Sequence, residues 1–295
     1  MGKADRLAAQ RTRQKIAAQQ AAARRAETRR RIAIAGGGVA VVVLLVIVLV
    51  LVSLGRSPAP AGPAFAPVAA DPAIAREITT VPATTFNRVG AGTATGLKPI
   101  TGQPELMAGR TPELLYMGGE FCPYCAAERW AIAAAVSRLG TLTGLRFIHS
   151  SPADVYPSTP TLTFADARYA SKYLQFVPVE WYGEKADPAT PFGHVYLQHP
   201  TPQEQALFAR YSGGSIPFVD IGNRYLVPSA QYLPSALAGL TWAQVAAAMH
   251  NPASAIGRDI DGAANMITAA ICRLTGNQPA SACRSAGVVT AGQSI

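Results

Sequence analysis

The sequence predicts a layered α/β domain held outside a membrane by a single apolar helix. Three observations lead there. Residues Ile32 to Leu54 form a run of 23 without a charge. Beyond it, apolar segments follow one another in the order β-α-β, then α-β-β-α. All four cysteines (Cys122, Cys125, Cys272 and Cys283) lie after the run in two close pairs, which suits an oxidising compartment.

Residues 1–31 hold ten Lys/Arg against Asp5 and Glu27, so this tail is +8 of the chain's total of +9. The high isoelectric point therefore belongs to the tail and implies no nucleic-acid surface on the folded part. The tail reads as a basic cytoplasmic arm, helical where it docks on anionic lipid.

A helix over residues 32–54 covers ~30–35 Å at ~1.5 Å per residue, enough for the hydrocarbon of a bilayer. In lipid a helix satisfies every backbone N–H internally, even where the sequence is rich in valine. Only Arg56 follows closely, so the positive-inside rule leaves the tail in the cytoplasm and exports residues 55–295. A cleaved signal peptide, with Ala59-Pro60-Ala61 as its cleavage-like site, is the competing reading, and it exports the same part.

Residues 55–78 read as a Pro/Ala-rich linker, with Pro58, Pro60, Pro63, Pro67 and Pro72 making an extended spacer. The folded domain is expected over residues 79–285, and residues 286–295 as a flexible C-terminus. Within the domain, Thr111 to Gly118 is a buried strand. Pro123 suits a first helical turn, and Ala126 to Leu139 is helical, with Trp130 in the core. Leu145 to His149 is the next strand, and residues 161–182 read as a strand or hairpin. Thr201 caps a helix through Tyr211, with Pro202 first and Glu204 three residues after the cap. Gly213 to Asp220 and Asn223 to Val227 are two strands, and helices follow near 241–250 and 256–275.

Chemistry concentrates where the first strand meets the first long helix. Disulfide exchange needs a thiolate, and a helix N-terminus favours an anion at Cys122. Pro123 and Tyr124 keep Cys125 within one turn, where it can resolve a mixed disulfide. About 95 residues after Cys122 comes Ile216-Pro217, ahead of a short strand.

Phe121-Cys-Pro-Tyr-Cys125 carries the dipeptide seen in glutaredoxins. Ser215-Ile-Pro217-Phe218 resembles the loop where thioredoxin-like proteins keep a cis-proline beside their dithiol. The string Gly118-Gly-Glu-Phe-Cys-Pro-Tyr-Cys-Ala-Ala-Glu-Arg-Trp130 resembles a family of membrane-anchored, thioredoxin-like proteins known as a domain of unknown function. The resemblance covers about residues 80–285. It implies a thioredoxin-like fold with an insertion and a C-terminal helical extension, preceded by one transmembrane helix. It also implies a thiol–disulfide oxidoreductase or isomerase in which Cys122 is the nucleophile, Cys125 the resolving thiol and Pro217 the docking element for a substrate strand. No soluble cofactor is needed, because the electrons travel on the cysteines. The expected partners are exported Cys-containing proteins, a membrane redox partner and the lipid bilayer.

Other readings stand beside this one. Pro217 can instead be an ordinary trans proline, and Cys122–Cys125 an inert disulfide in a redox-silent interaction module. Zinc normally takes four ligands, and His149, His194, His199 and His250 are scattered. Copper on the two thiolates, with His149 as the one histidine worth considering, makes a copper-handling chaperone the other alternative. Cys272 and Cys283 read as a structural disulfide worth ~3 kcal/mol, or else as a relay that exchanges electrons with the dithiol. Glu120, Glu128 and Arg129 flank the dithiol, either as solvated charges or with an acid accepting the proton of the resolving thiol.

Overall fold

The computed structural model describes residues 67–295 other than Pro228. The basic tail, the apolar run and the first half of the linker lie outside the described residues. Among the described residues, no helix is long and apolar enough to cross a membrane.

The strands in chain order are β1 (Val68–Ala69), β2 (Lys98–Pro99), β3 (Met107–Ala108), β4 (Thr111–Gly119), β5 (Thr141–Thr143) and β6 (Arg146–His149). They continue as β7 (Pro160–Thr163), β8 (Arg168–Ala170), β9 (Gln175–Ala186), β10 (His194–Tyr196), β11 (Phe218–Ile221) and β12 (Tyr225–Val227). The helices are α1 (Pro72–Thr79), α2 (Ala83–Val89), α3 (Pro123–Ser137), α4 (Pro202–Tyr211), α5 (Trp242–Met249), α6 (Ala255–Leu274), α7 (Ala280–Cys283) and α8 (Ala286–Ala291).

The main sheet has seven strands in the order β10-β9-β4-β11-β12-β2, with β3 joined to β4. β4 lies inside it, parallel to β9 on one side and antiparallel to β11 on the other. Leu114, Leu115, Tyr116 and Met117 are all fully buried, because both faces of this strand are covered. Alternate side chains go to opposite layers. Leu114 and Tyr116 join the core built with α3 and α6, whereas Leu115 and Met117 meet Phe208 of α4. The result is a mixed α/β fold with helices on both faces of the sheet.

Several expected elements recur with their predicted chemistry. In α4, Thr201 Oγ1 accepts from Glu204 N–H at 3.3 Å and Glu204 Oε2 accepts from Thr201 N–H at 2.6 Å, completing the capping box. Such a cap stabilises a helix by about 1 kcal/mol. Helix α5 begins with a second box, Thr241 with Gln244.

Strand pairing departs from expectation. The expected strand at Leu145 to His149 is β6, which lies outside the main sheet and pairs with β1 and β7 in a separate three-stranded sheet. The parallel partner of β4 is β9. Residues 161–182 do not close into a hairpin, since β7 pairs with β6, β8 with β5 and β9 with β4. Short apolar runs say which face is buried and leave the partner open.

Both ends of the domain extend further than the sequence indicated. Residues 72–78, read as linker, belong to α1. Pro72 opens the helix, Asp71 Oδ1 caps Ala73 N–H at 2.8 Å, and Ile78 is fully buried beside α5 and α3. A proline there starts a helix as readily as it stiffens a spacer. Residues 286–295, read as flexible, form α8 and a 3₁₀ turn at Gly292–Ser294. Val288 and Ala291 are buried, Gly287 N–H donates to Asn87 Oδ1 at 3.0 Å, and Arg273 Nη2 donates to Gly292 O at 2.6 Å. Six residues of weak periodicity carry little helical signal alone, and burial against α2 and α6 supplies what propensity lacks.

Cys272 and Cys283 form a disulfide with Cα atoms 5.5 Å apart, next to a cis Gln278–Pro279 bond. The bridge ties α7 to the end of α6.

Candidate functional site

The buried strand β4 ends at Gly118-Gly119, where side chains have no room. A Cβ at 118 would strike Tyr116 Oη, and one at 119 would come within 2.7 Å of the Phe121 ring. The chain then turns through Glu120-Phe121 and enters α3 with Cys122 as N-cap and Pro123 in the first turn. Cys122 Sγ accepts the Cys125 N–H at 3.3 Å and stands 3.9 Å from the Ile216 carbonyl oxygen. The Ile216–Pro217 bond is cis, so the fold brings the three expected site residues Cys122, Cys125 and Pro217 together across 95 residues of sequence.

The two free thiols are unlike. Cys122 keeps 6% of its surface and Cys125 none. The Cys125 thiol hydrogen-bonds to Cys122 and lowers its pKa against the opposing effect of burial, helped by the N–H groups of Cys125 and Tyr124 and by the Arg129 charge. Burial pushes Cys125 well up, and its bond to Cys122 adds to that. Cys122 therefore ionises first, and Cys125 stays protonated as the donor that stabilises it.

Beneath the thiols lies a buried ion pair. Arg129 Nε and Nη2 donate to Glu180 Oε1 and Oε2 at 2.8 and 2.7 Å, and Nη2 also donates to Gly119 O at 2.8 Å. Both side chains are fully enclosed. Glu180 Oε1 further accepts Phe164 N–H at 3.0 Å, locking the carboxylate in place. Two more acids share this region. Burial, followed by the charge of Glu180, raises the pKa of Glu120. Burial and the charge of Glu120 take Glu184 up to about 8.

Of the three flanking charges, none is a solvated group on an exposed turn: Glu120 is buried, and Glu128 and Arg129 are fully so. Glu128 Oε2 accepts the Gln231 N–H at 2.9 Å, while Oε1 finds no hydrogen-bond partner among the described residues. Burial raises its pKa from 4.5 to about 8, with the Gln231 bond opposing. A carboxyl raised in the folded state favours folding fully below its unfolded pKa, and that contribution is lost as pH climbs through the folded one. From this group stability is expected to fall between about pH 4.5 and 8, at up to ~1.4 kcal/mol per pH unit. Glu128→Gln keeps the acceptor for Gln231 and removes the titration. Urea denaturation at pH 5 and pH 8.5 should show the variant gaining on the parent at the higher pH; parallel curves would remove the effect.

Trp130 is a core residue whose Nε1–H donates to Pro160 O at 3.0 Å. The histidines separate. His149 packs on Trp242 with ring centres 4.6 Å apart, and His250 Nε2 pairs with Glu77 O at 2.9 Å. His194 lies flat on Phe121, 3.7 Å between ring centres. Among the described residues, no group of three or more His, Cys, Asp or Glu is placed to hold a metal ion.

The second cysteine pair belongs elsewhere. Leu274 packs on Gly222, whose N–H bonds Glu113 O near the start of β4, whereas Cys122 follows the end of that strand. Glu113 and Gly119 are six residues apart on that strand, ~20 Å at ~3.3 Å per residue, and the two pairs sit in separate apolar clusters. Sequence reasoning missed Tyr182, which packs against the dithiol, and Glu180, His194 and Tyr156, which meet its neighbours Arg129, Phe121 and Tyr124, since nothing local marks residues that arrive from separate strands and loops.

A family model described as Domain of unknown function (DUF929) matches residues 101–273, more than half of the chain. The chain belongs to this family. The DUF929 match takes in β4, the dithiol, the Arg129–Glu180 pair, Pro217 and Cys272, and it stops before Cys283. No curated protein and no solved structure matches the chain.

Proposed function

We propose that this DUF929 protein is a membrane-anchored, extracytoplasmic thiol–disulfide oxidoreductase of thioredoxin-like fold. One observation carries the chemistry. At the N-terminus of α3 the more exposed thiol has its pKa lowered and its partner's is raised, with the carbonyl before a cis-proline alongside. The thioredoxin-like reading is supported by the order β9-β4-β11-β12, with β4 and β9 parallel and the dithiol on the helix between them. Strands β5–β8 are then the insertion, and α6–α8 the C-terminal extension.

In the forward step the Cys122 thiolate attacks one sulfur of a substrate disulfide. A new S–S bond forms, the old one breaks, and the departing sulfur leaves as a thiolate. Cys125 then loses its proton and attacks Cys122, releasing the second substrate thiolate. Two electrons pass to the substrate, and the protons of the two site thiols balance the two thiols released. Oxidation of a substrate is the same sequence reversed. Substrates are exported proteins with exchangeable cysteines, and a membrane redox partner resets the dithiol.

The test is the reduction potential of the full chain equilibrated in glutathione buffers, with Cys272→Ser/Cys283→Ser in parallel. A value between about −120 and −270 mV lies among catalytic dithiols and gives the direction of exchange; one below about −300 mV marks an inert bridge and ends the proposal.

A further inference from the structure

The surface around Cys122 is apolar. The 151–158 loop is tied to the site by Ser151 N–H donating to Phe121 O at 2.8 Å. It presents Val155, 74% exposed, and Tyr156, whose ring meets Tyr124 edge-on at 5.7 Å. The β9–β10 hairpin packs Tyr182 against the dithiol. Phe192 and Tyr196 stand 5.0 and 4.9 Å from the Tyr182 ring, and Tyr196 is 40% exposed. Large apolar groups left open to solvent around one nucleophile indicate a binding surface.

The charges near Cys122 are equally telling. The cation acting on it is Arg129, fully enclosed and committed to Glu180 and the Gly119 carbonyl. Neither the 151–158 loop nor residues 211–217 contain Lys or Arg. Lys185, the hairpin's lysine, lies three residues from Tyr182 and so on the opposite side of the strand. The charge on the loop is the anion Asp154, which acts on Tyr124 and on His194. Glutathione brings two carboxylates and little apolar surface, and among the described residues these segments of the rim meet it with an anion and no available cation.

Resting on the exchange reading above, the geometry points to a substrate class: a cysteine in an extended polypeptide flanked by bulky apolar side chains, in preference to glutathione. Val155 and Tyr156 receive the side chains flanking that cysteine at one end, and Phe192 and Tyr196 those at the other. An exported chain that has not yet folded presents such segments.

The test uses the full chain with its dithiol reduced and three mixed disulfides sharing the leaving group 5-thio-2-nitrobenzoate. One is formed on glutathione, one on a peptide Ser-Leu-Phe-Cys-Leu-Phe-Ser, and one on the same peptide with serine at every flanking position. Attack of the Cys122 thiolate on the carrier sulfur releases the coloured thiolate, and Cys125 then frees the carrier. The Leu/Phe peptide is expected to react in a single round with a second-order rate constant about tenfold or more above both others, the discrimination that apolar contacts supply. In Val155→Ser/Tyr196→Ser that ratio falls towards one. Equal rates on the three probes, faster exchange with glutathione, or a ratio untouched in the double variant overturns the assignment while leaving exchange itself intact. Failure to react with any of the three overturns the exchange reading as well.

Discussion

Cys122→Ser loses disulfide exchange by on the order of a thousandfold or more, whereas Cys125→Ser retains the first half of the reaction and stalls there. The asymmetry follows from geometry. Cys122 holds the helix N-terminus, keeps the exposed edge of the pair and receives the Cys125 N–H at 3.3 Å. A serine hydroxyl is not appreciably ionised in that position, so no nucleophile is present. Cys125, fully buried with its pKa well up, reaches a substrate only through Cys122. Its serine variant should therefore accumulate a mixed disulfide with substrate protein, visible on a non-reducing gel and dissolved by dithiothreitol. Were both variants to exchange at similar rates, the assignment of roles would fall.

The second large effect concerns the ion pair under the site. Glu180→Gln leaves the Arg129 charge uncompensated beneath the thiols, so the Cys122 thiolate is stabilised further. Its pKa drops and the dithiol becomes more oxidising, because the reduced form gains the stability. The double variant Arg129→Met/Glu180→Met removes the cation altogether, and the Cys122 pKa rises. The two changes thus move thiolate absorbance at 240 nm along the pH axis in opposite directions. A merely structural role would shift neither pKa in this signed way. Stability separates the variants again. Removing one partner of a buried pair leaves a bare charge and costs about 3–5 kcal/mol, whereas replacing both with apolar groups is often neutral or stabilising. Glu180→Gln and Arg129→Met, each alone, are therefore expected to unfold more easily in urea than the double variant. If Glu180→Gln and the double variant shift the Cys122 pKa the same way, the electrostatic account is wrong.

Particular residues show how much of this was legible beforehand. The strand into Gly118-Gly119, the cap at Thr201 and the entry of α3 at Pro123 are local events, each written in a few adjacent residues. The Cys-Pro-Tyr-Cys segment and Pro217 were legible for the same reason, as short strings with a chemical meaning of their own. Glu128 and Arg129 could be seen to flank the dithiol, but whether they face water or the interior depends on which layers enclose α3. The structure encloses both, one against Gln231 and the other against Glu180. The partner of β4 was left open by the sequence, and the fold pairs it with Gln175 to Ala186 rather than with Leu145 to His149.

Sequence by itself determined the composition of the chain's parts: a basic tail, a charge-free run, cysteines in two close pairs, and apolar periods that demand a covered sheet. These depend on residue type and near neighbours, where propensity, capping and charge act. Tertiary structure alone decided which strands lie beside β4, that residues 286–295 dock as a helix, that a buried Arg129–Glu180 pair underlies the thiols, and that Tyr182 packs against the dithiol. Such contacts join residues far apart in the chain. Their free energy comes from burial and from charges removed from water, and both exist only once the layers have closed.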